Sequence, residues 1–434
     1  MSKRYLIVGV TALAAMLMYI DRVCFSTLLG PIQTDLGLTE RERARILGAF
    51  FFTYALLQIP IGSLADRFGP RLVLTVSIAA WSLVTAGTGL VYSFGALLAV
   101  RFLLGVTEAG AYPAAAGLVK RWAKPDERGK FSSAVALGGR VGGAIAPTLT
   151  AWLAVALIGM TIVGTTVGDS GKHWRGVFLL YGVCGLVVAA IFWVIVRDWP
   201  PTVETTDRVA PGNPSSQSGT PVIAVGPPRP FLQQLGVLGR SRRMWFFGGL
   251  QFCNNIPWAI LITLLPAFLQ DRGVAFESVG DMQSLILFVG CGGMLFGGIV
   301  SDYVRRKLGA RRGRSVPIAA MMTGCALMCA IVSTTPALWV AIAALGLMAM
   351  FQDTGLPSVW AFAQDVGGKN VGAALGFGNM LGNFGAALSP IILTEVKLLG
   401  GWEAVFVVGA VSYICAAVCG SMLDASTPID PEDA

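Results

Sequence analysis

GSLADRFGPR, residues 62–71, returns as GGIVSDYVRR at residues 297–306, with its aspartate moved 236 positions from Asp66 to Asp302. Each copy lies between two apolar runs. Further out, LLGPIQTDLG (28–37) resembles LLPAFLQDRG (264–273) at the same offset. GGRVGGAIAP (138–147) matches LGNFGAALSP (381–390) at offset 243, and HWRGVF (173–178) matches GWEAVF (401–406) at offset 228. Four matches in one order, with slowly drifting offsets, mark an internal duplication. Two like-oriented halves follow, related by an axis along the membrane normal.

The membrane enters through composition. The chain has 434 residues, 55% hydrophobic and only 13% charged, and its mean hydropathy is +0.69. Soluble domains carry about a quarter charged residues. Apolar runs of about 20 residues, each enough to cross a hydrocarbon core of ~30 Å, recur from end to end. They are read at 5–30, 46–65, 72–92, 95–119, 131–155, 176–196, 244–270, 281–303, 315–334, 337–364, 371–395 and 402–423. The expected fold is therefore an all-α membrane protein of twelve transmembrane helices in two pseudosymmetric six-helix bundles. Residues 1–196 form the first bundle and 244–423 the second, with a Pro-, Ser- and Gly-rich cytoplasmic linker at 197–243 and a cytoplasmic tail at 424–434. The basic start and apolar core of residues 1–22 resemble a signal peptide. No A-x-A-like site ends them and the apolar character resumes after Arg22, so they are read as the first span.

The net charge of +8 fits this topology. With the N-terminus inside, 22 Lys and Arg fall in cytoplasmic segments, 7 in outer loops and three (Arg22, Arg101, Arg140) within spans. This positive-inside bias puts both termini in the cytoplasm. Basic residues confined to short loops argue against nucleic-acid binding. All eight cysteines fall in spans and read as packing residues. The single histidine, His173, completes no ligand set, and no metal, cofactor or catalytic constellation is expected. No N-x-S/T acceptor exists, since Asn213 precedes Pro214, which fits a bacterial inner membrane. The chain is expected to act there as a monomer.

Five ionisable residues lie inside spans: Asp21, Arg22, Arg101, Glu108 and Arg140. A charge at the bilayer centre costs roughly 2.5–3.5 kcal/mol on insertion scales, so such residues mark a buried, water-reachable site. Both signs together point to an anion and protons as its partners. At ~1.5 Å per residue, Asp21 lies roughly 24 Å along the outward-running first span and Arg101 about 9 Å below the outer surface, which makes them a plausible ion pair. Glu108, about 10 Å deeper, and Arg140, about 14 Å from the inner start of its span, both approach the midplane and could meet.

The loop at Asp66, Arg67, Gly69 and Arg71 is similar to the signature G-x-x-x-D-R-x-G-x-R of the major facilitator superfamily. Its echo stands at Gly298, Asp302, Arg305 and Arg306. MLMYIDRVCFS (16–26) and RFLLGVTEAGAYPA (101–114) further resemble the anion:cation symporter family, which includes bacterial sugar-acid transporters and the sialin and vesicular glutamate branch. The resemblance implies that Arg22 holds a substrate carboxylate, with Tyr19 and Tyr54 beside it. It implies that Asp21 and Glu108 carry protons, with Arg101 as the partner of Glu108 on the fourth span. Asp66, Arg67, Arg71, Asp302 and Arg305 would bridge helix ends in one conformation and release them in another. Arg140 departs from the family, which has an uncharged polar residue there. It either adds a second cation for the substrate or only neutralises Glu108.

The second half offers neutral groups: Asn254, Asn255 and Trp258 in span 7, Gln352 in span 10, and Asn379 and Asn383 at i, i+4 in span 11. Trp258 is the repeat equivalent of Arg22, and Gln352 that of Glu108. Amides suit hydroxyl groups, or else bond between helices. Asp353 is a further acid within a span. The expected function is proton-coupled import of an organic anion by alternating access, with a sugar acid such as a hexonate or hexuronate as cargo. An aromatic or small monocarboxylate is the alternative cargo. A membrane sensor that binds without translocating is the remaining class, since a fold alone does not specify function.

Overall fold

The computed structural model describes residues 3–122, 128–162, 164–165, 171–199, 231–367, 371–427 and 429, and their architecture is helical. The first half runs through α1 (Lys3–Thr27), α2 (Leu29–Leu36), α3 (Glu40–Phe68), α4 (Pro70–Thr88), α5 (Phe94–Glu108), α6 (Ala111–Trp122), α7 (Arg128–Ala156) and α8 (Trp174–Ile195). The second runs through α9 (Phe231–Arg240), α10 (Arg242–Ala259), a π-helical turn (Ile260–Leu264), α11 (Leu265–Asp271), α12 (Phe276–Gly313), α13 (Ser315–Thr334), α14 (Leu338–Gly367) and α15 (Val371–Ser421). Of the expected linker, residues 200–230 lie outside the described residues, and its C-terminal part is the helix α9. Among the described residues nine helical stretches are long and apolar enough to cross a bilayer.

Local chemistry sets the helix ends. Thr39 opens α3 through a capping box: its hydroxyl accepts from the Glu42 backbone N–H at 3.2 Å and the Glu42 carboxylate accepts from the Thr39 N–H at 2.9 Å. Pro70 starts α4, where a missing N–H costs nothing. Gly401, at φ +67°, breaks α15.

The repeats legible in the sequence recur as structure. Asp35 accepts a hydrogen bond from Trp174 Nε1 at 2.6 Å, and its repeat mate Asp271 accepts one from Trp402 Nε1 at 2.9 Å. A cation joins each: Arg175 at 3.6 Å from Asp35 and Lys397 at 2.8 Å from Asp271. The glycines match too. A Cβ on Gly142 of α7 would collide with the Met16 carbonyl of α1, and one on Gly385 of α15 with the Phe252 carbonyl of α10. Backbones that approach this closely tolerate only glycine. Gly142→Ala is therefore expected to destabilise by about 1–3 kcal/mol, as overpacking does. Gly9→Ala, with nothing within 4 Å of the added carbon, is expected to be neutral or mildly stabilising. Melting of the two purified variants tests the contrast, and equal melting points would contradict it.

Polar contacts between the halves gather where α3 begins and α15 breaks. Arg41 of α3 holds Glu395 of α15 with two hydrogen bonds at 2.7 and 3.0 Å. Lys172 reaches Glu277 at 2.5 Å, and the Thr148 hydroxyl donates to Asp281 at 2.9 Å. At the opposite end, the ion pairs among the described residues stay within one half. They are Arg121–Asp198, Arg305–Asp365, Arg314–Asp365 and Arg311–Asp424.

Candidate functional site

α1 packs along α7 and carries Tyr19, Asp21 and Arg22. α5 ends at Glu108, and the chain turns at Gly110, whose missing Cβ makes room for Ile61 of α3, before α6 begins. This break sets Glu108 beside Arg22. Arg22 Nε donates to Glu108 Oε2 at 2.6 Å; the carboxylate side chain is fully buried, whereas 11% of the Arg22 side chain stays exposed. The guanidinium lies over three rings, with centroids at 4.4 Å (Tyr54), 5.1 Å (Phe50) and 5.4 Å (Tyr19). Each such contact is worth about 0.5–1 kcal/mol when exposed and more when desolvated. Glu108 Oε1 has no hydrogen-bond partner.

The expected Asp21–Arg101 ion pair does not form. Both Asp21 oxygens are buried without a hydrogen bond, and Arg101 Nε is equally unpartnered. Phe25, one helical turn beyond Asp21, presents its ring to the Arg101 guanidinium at 4.2 Å, and Phe50 covers it at 4.9 Å. Rings thus take the place that depth arithmetic assigns to the acid.

Glu108 and Arg140 do not meet either. Arg140 Nη2 lies 2.7 Å from Asp353 Oδ1 of α14, and its guanidinium stands 4.9 Å from the Trp258 ring centroid of α10. The cause is helical phase. Gly138 and Gly142 press α7 onto α1, so Arg140, two residues from each, points about 200° away, toward the second half. Asp353, to which the sequence assigns no role, is its partner. Gly290 of α12 backs the acid: a Cβ there would lie 3.2 Å from Asp353 Oδ2.

Tyr19 stands between the two pairs. Its ring meets Tyr112 of α6 edge-on at 6.4 Å, and it lies flat enough on α7 that a Cβ on Gly139 would fall 3.0 Å from it. Sequence reasoning misses Tyr112, Phe25 and Phe50. Tyr112 sits within the TEAGAYPA stretch, and its aromatic ring beside the Gly110 break is the available signal.

The neutral groups of the second half are largely engaged. Gln352 Oε1 accepts from the Tyr413 hydroxyl, both side chains buried. Asn255 Nδ2 donates to the Gln251 carbonyl and Asn383 Nδ2 to the Asn379 carbonyl, each at 2.8 Å within its own helix. Asn379 is exposed, Trp258 faces Arg140, and the buried Asn254 Oδ1 is unpartnered.

Among the loop charges, Arg71 donates to the Trp193 carbonyl at 2.8 Å and stacks 3.9 Å from the Trp193 ring. Arg67 is exposed and leans on the Phe68 ring at 5.3 Å, and Arg305 pairs with Asp365 at 3.4 Å. The side chains of Asp66 and Asp302 lie outside what is described. His173 is a buried N-cap: Nδ1 accepts from the Gly176 N–H at 3.1 Å and Nε2 lies 2.8 Å from the Met160 carbonyl oxygen. No group of three His, Cys, Asp or Glu side chains suited to a metal occurs among the described residues.

A bundle of apolar helices whose centre holds guanidiniums, carboxyls and stacked rings defines a membrane transporter. The chain belongs to the Major Facilitator Superfamily, which residues 11–390 match. It is 27% identical to the "Probable sulfoacetate transporter SauU" of Cupriavidus necator, over 99% of this chain and 96% of that one. It is 28% identical to the "Probable galactarate/D-glucarate transporter GarP" of Escherichia coli, over 96% and 93%. The "Hexuronate transporter" of Bacillus subtilis is 29% identical, over 91% and 90%. A bacterial homologue of the human lysosomal transporter Spinster, in an inward-facing and unoccupied conformation, shares the fold with TM-score 0.71 at 21% identity, covering 98% of this chain and 96% of that chain. The chain is thus a multi-pass membrane transporter and not an enzyme.

Proposed function

We propose that this protein imports an organic anion of the sugar-acid class together with protons, by alternating access of two six-helix halves (twelve spans, residues 1–196 and 244–423) across a bacterial inner membrane, with both termini cytoplasmic. The observation that carries the reading is the Arg22–Glu108 pair. It is a guanidinium held at 2.6 Å by one carboxylate oxygen, roofed by three rings, and still partly open. An incoming carboxylate can take both prongs of that fork, a stronger arrangement than the single bond it replaces. Glu108, left buried without its cation, is then relieved by a proton, because an uncompensated buried charge is costly. Anion and proton binding therefore favour each other, and this reciprocity is symport expressed as a coupling free energy. Asp21, buried beside the pair with both oxygens unpartnered, is the second proton carrier. The relatives, whose names specify sugar acids and sulfoacetate, support an organic anion as cargo.

The conformation follows from the same frame. The contacts between halves at Arg41–Glu395, Lys172–Glu277 and Thr148–Asp281 lie on the expected outer side, so the state is closed outside and faces the cytoplasm. Arg41 and Glu395 are both exposed, and an exposed pair is worth about 0–1 kcal/mol. Glu395→Lys sets like charges against Arg41 and is expected to raise labelling of a cysteine placed at Ala387, buried where α15 packs on Gly48 of α3, from outside by about threefold, without changing folded yield. Unchanged labelling would contradict the latch. The function itself is tested in proteoliposomes of purified protein under an inward proton gradient. Labelled galactonate, glucuronate or galactarate should accumulate, and a protonophore should abolish the accumulation. Accumulation that survives the protonophore would contradict the proposal.

A further inference from the structure

Arg140 and Asp353 tie α7 of the first half to α14 of the second near the middle of the bundle, about two helical turns along α7 from the outer contact at Thr148. They repeat the chemistry of Arg22 and Glu108: a partly open guanidinium (16% of its side chain exposed) meets a buried carboxylate (3%) through one oxygen, beside an aromatic ring. The 2.7 Å approach lacks hydrogen-bond alignment, and Asp353 Oδ1 is left without a hydrogen bond, as is Glu108 Oε1. Both arginines border Tyr19. Arg22 lies 5.4 Å from its ring centroid, and Arg140 is held within electrostatic reach of the Tyr19 and Tyr112 hydroxyls. The site thus has two like halves, each with a cation that a better anionic partner could claim, joined by two phenols.

Resting on the organic-anion reading above, we infer that the cargo is a dianion, one acid group taking Arg22 from Glu108 and the other taking Arg140 from Asp353. The chain between the two acid groups crosses Tyr19 and Tyr112, whose hydroxyls suit a polyhydroxy backbone. Charge then fixes the proton count. The cluster holds three guanidiniums (Arg22, Arg101, Arg140) and three carboxyls (Asp21, Glu108, Asp353). Each carboxylate displaced from its arginine takes one proton from the water that reaches the open site, so binding of the dianion draws two protons, at Glu108 and Asp353, and leaves the site's charge unchanged. Asp21, which pairs with no arginine, is not displaced and its proton is outside this binding count. The groups in electrostatic reach of Glu108 are Asp21, Arg22 and Cys24 of α1, Tyr54 of α3 and Arg101 of α5. Those that face Asp353 are Arg140 of α7, Cys291 of α12, Cys325 of α13 and Tyr413 of α15. Among the described residues Arg140 is the sole cation in the second set, so its loss leaves Asp353 without a cationic partner there. A monoanion opens one pair only and leaves α7 tied to α14.

Binding to the full-length protein in nanodiscs tests this by calorimetry with matched acids: galactarate against galactonate, glucarate against gluconate, and succinate against butyrate. The wild type should prefer the diacid of each bound pair at least tenfold. Arg140→Gln should lower diacid affinity at least tenfold more than monoacid affinity. Because that variant leaves Asp353 uncompensated, Arg140→Gln/Asp353→Asn, which removes both charges, should show the same loss of preference in a folded protein. Proton uptake on diacid binding, read from buffers of different ionisation enthalpy, should fall from two to one in Asp353→Asn. Equal affinity for both members of each pair in the wild type, a preference that survives in the double variant, or unchanged proton uptake in Asp353→Asn would overturn the inference while leaving organic-anion transport standing. If no acid in the panel binds, the sugar-acid reading falls and the dianion falls with it.

Discussion

Arg22→Gln is expected to lower the initial rate of anion uptake at least a hundredfold. Glutamine keeps much of the length but has neither the charge nor the fork that grips a carboxylate with two parallel bonds. The same change removes the cation from Glu108, which is fully buried. Breaking a buried pair on one side costs about 3–5 kcal/mol, so the yield of folded protein should fall as well. Arg22→Gln/Glu108→Gln separates the two effects. It removes both charges, and folded yield should recover while uptake stays at least a hundredfold down. Arg22→Lys retains charge but forfeits the planar stacking over Tyr54 and should lose tenfold or more. Rates are compared in proteoliposomes at equal amounts of monodisperse protein. If the double variant carries anion within threefold of the wild type, Arg22 supports the fold and not the cargo.

Asp21→Asn is expected to abolish accumulation against a gradient while anion exchange across the vesicle wall persists. Asp21 binds no cation, and neither of its oxygens accepts a hydrogen bond. Its removal therefore breaks no pair, and folded yield should match the wild type, in contrast to Arg22→Gln. A lone carboxylate buried in this way is costly, and the neutral acid is not. The residue is thus suited to take a proton when the site faces outward and to lose it inward, and asparagine can do neither. Accumulation ratios under an imposed proton gradient should fall to about one, whereas counterflow of labelled anion into preloaded vesicles continues. The rise of wild-type uptake as outside pH falls should flatten in this variant. Accumulation equal to the wild type would remove Asp21 from the coupling.

The duplicated strings locate the two halves from the sequence alone, and the matched Trp174–Asp35 and Trp402–Asp271 bonds show that the repeat carries contacts as well as composition. Depth along a span follows from rise per residue, which places Glu108 and Arg140 near the midplane but sets Asp21 and Arg22 further out, level with Arg101; the structure nonetheless joins Arg22 to Glu108. Partner choice is not legible in the sequence, because it depends on which way each helix is turned. Gly138 and Gly142 fix the phase of α7 against α1, and that phase sends Arg140 to Asp353. Likewise Phe25 and Phe50, ordinary apolar residues in the sequence, decide that Arg101 meets rings. Nothing local to Arg101 or Asp21 announces this, since the rings arrive from neighbouring turns and another helix.

Simultaneous recording of anion and proton entry in one preparation of proteoliposomes tests the central claim most directly: cargo takes guanidiniums from buried carboxylates, and the displaced carboxylates take protons. Protons should enter in a fixed ratio to the anion, neither flux should run without the other, and Glu108→Gln should break the ratio. Uphill anion accumulation with no accompanying proton entry, in the wild type, would contradict the account.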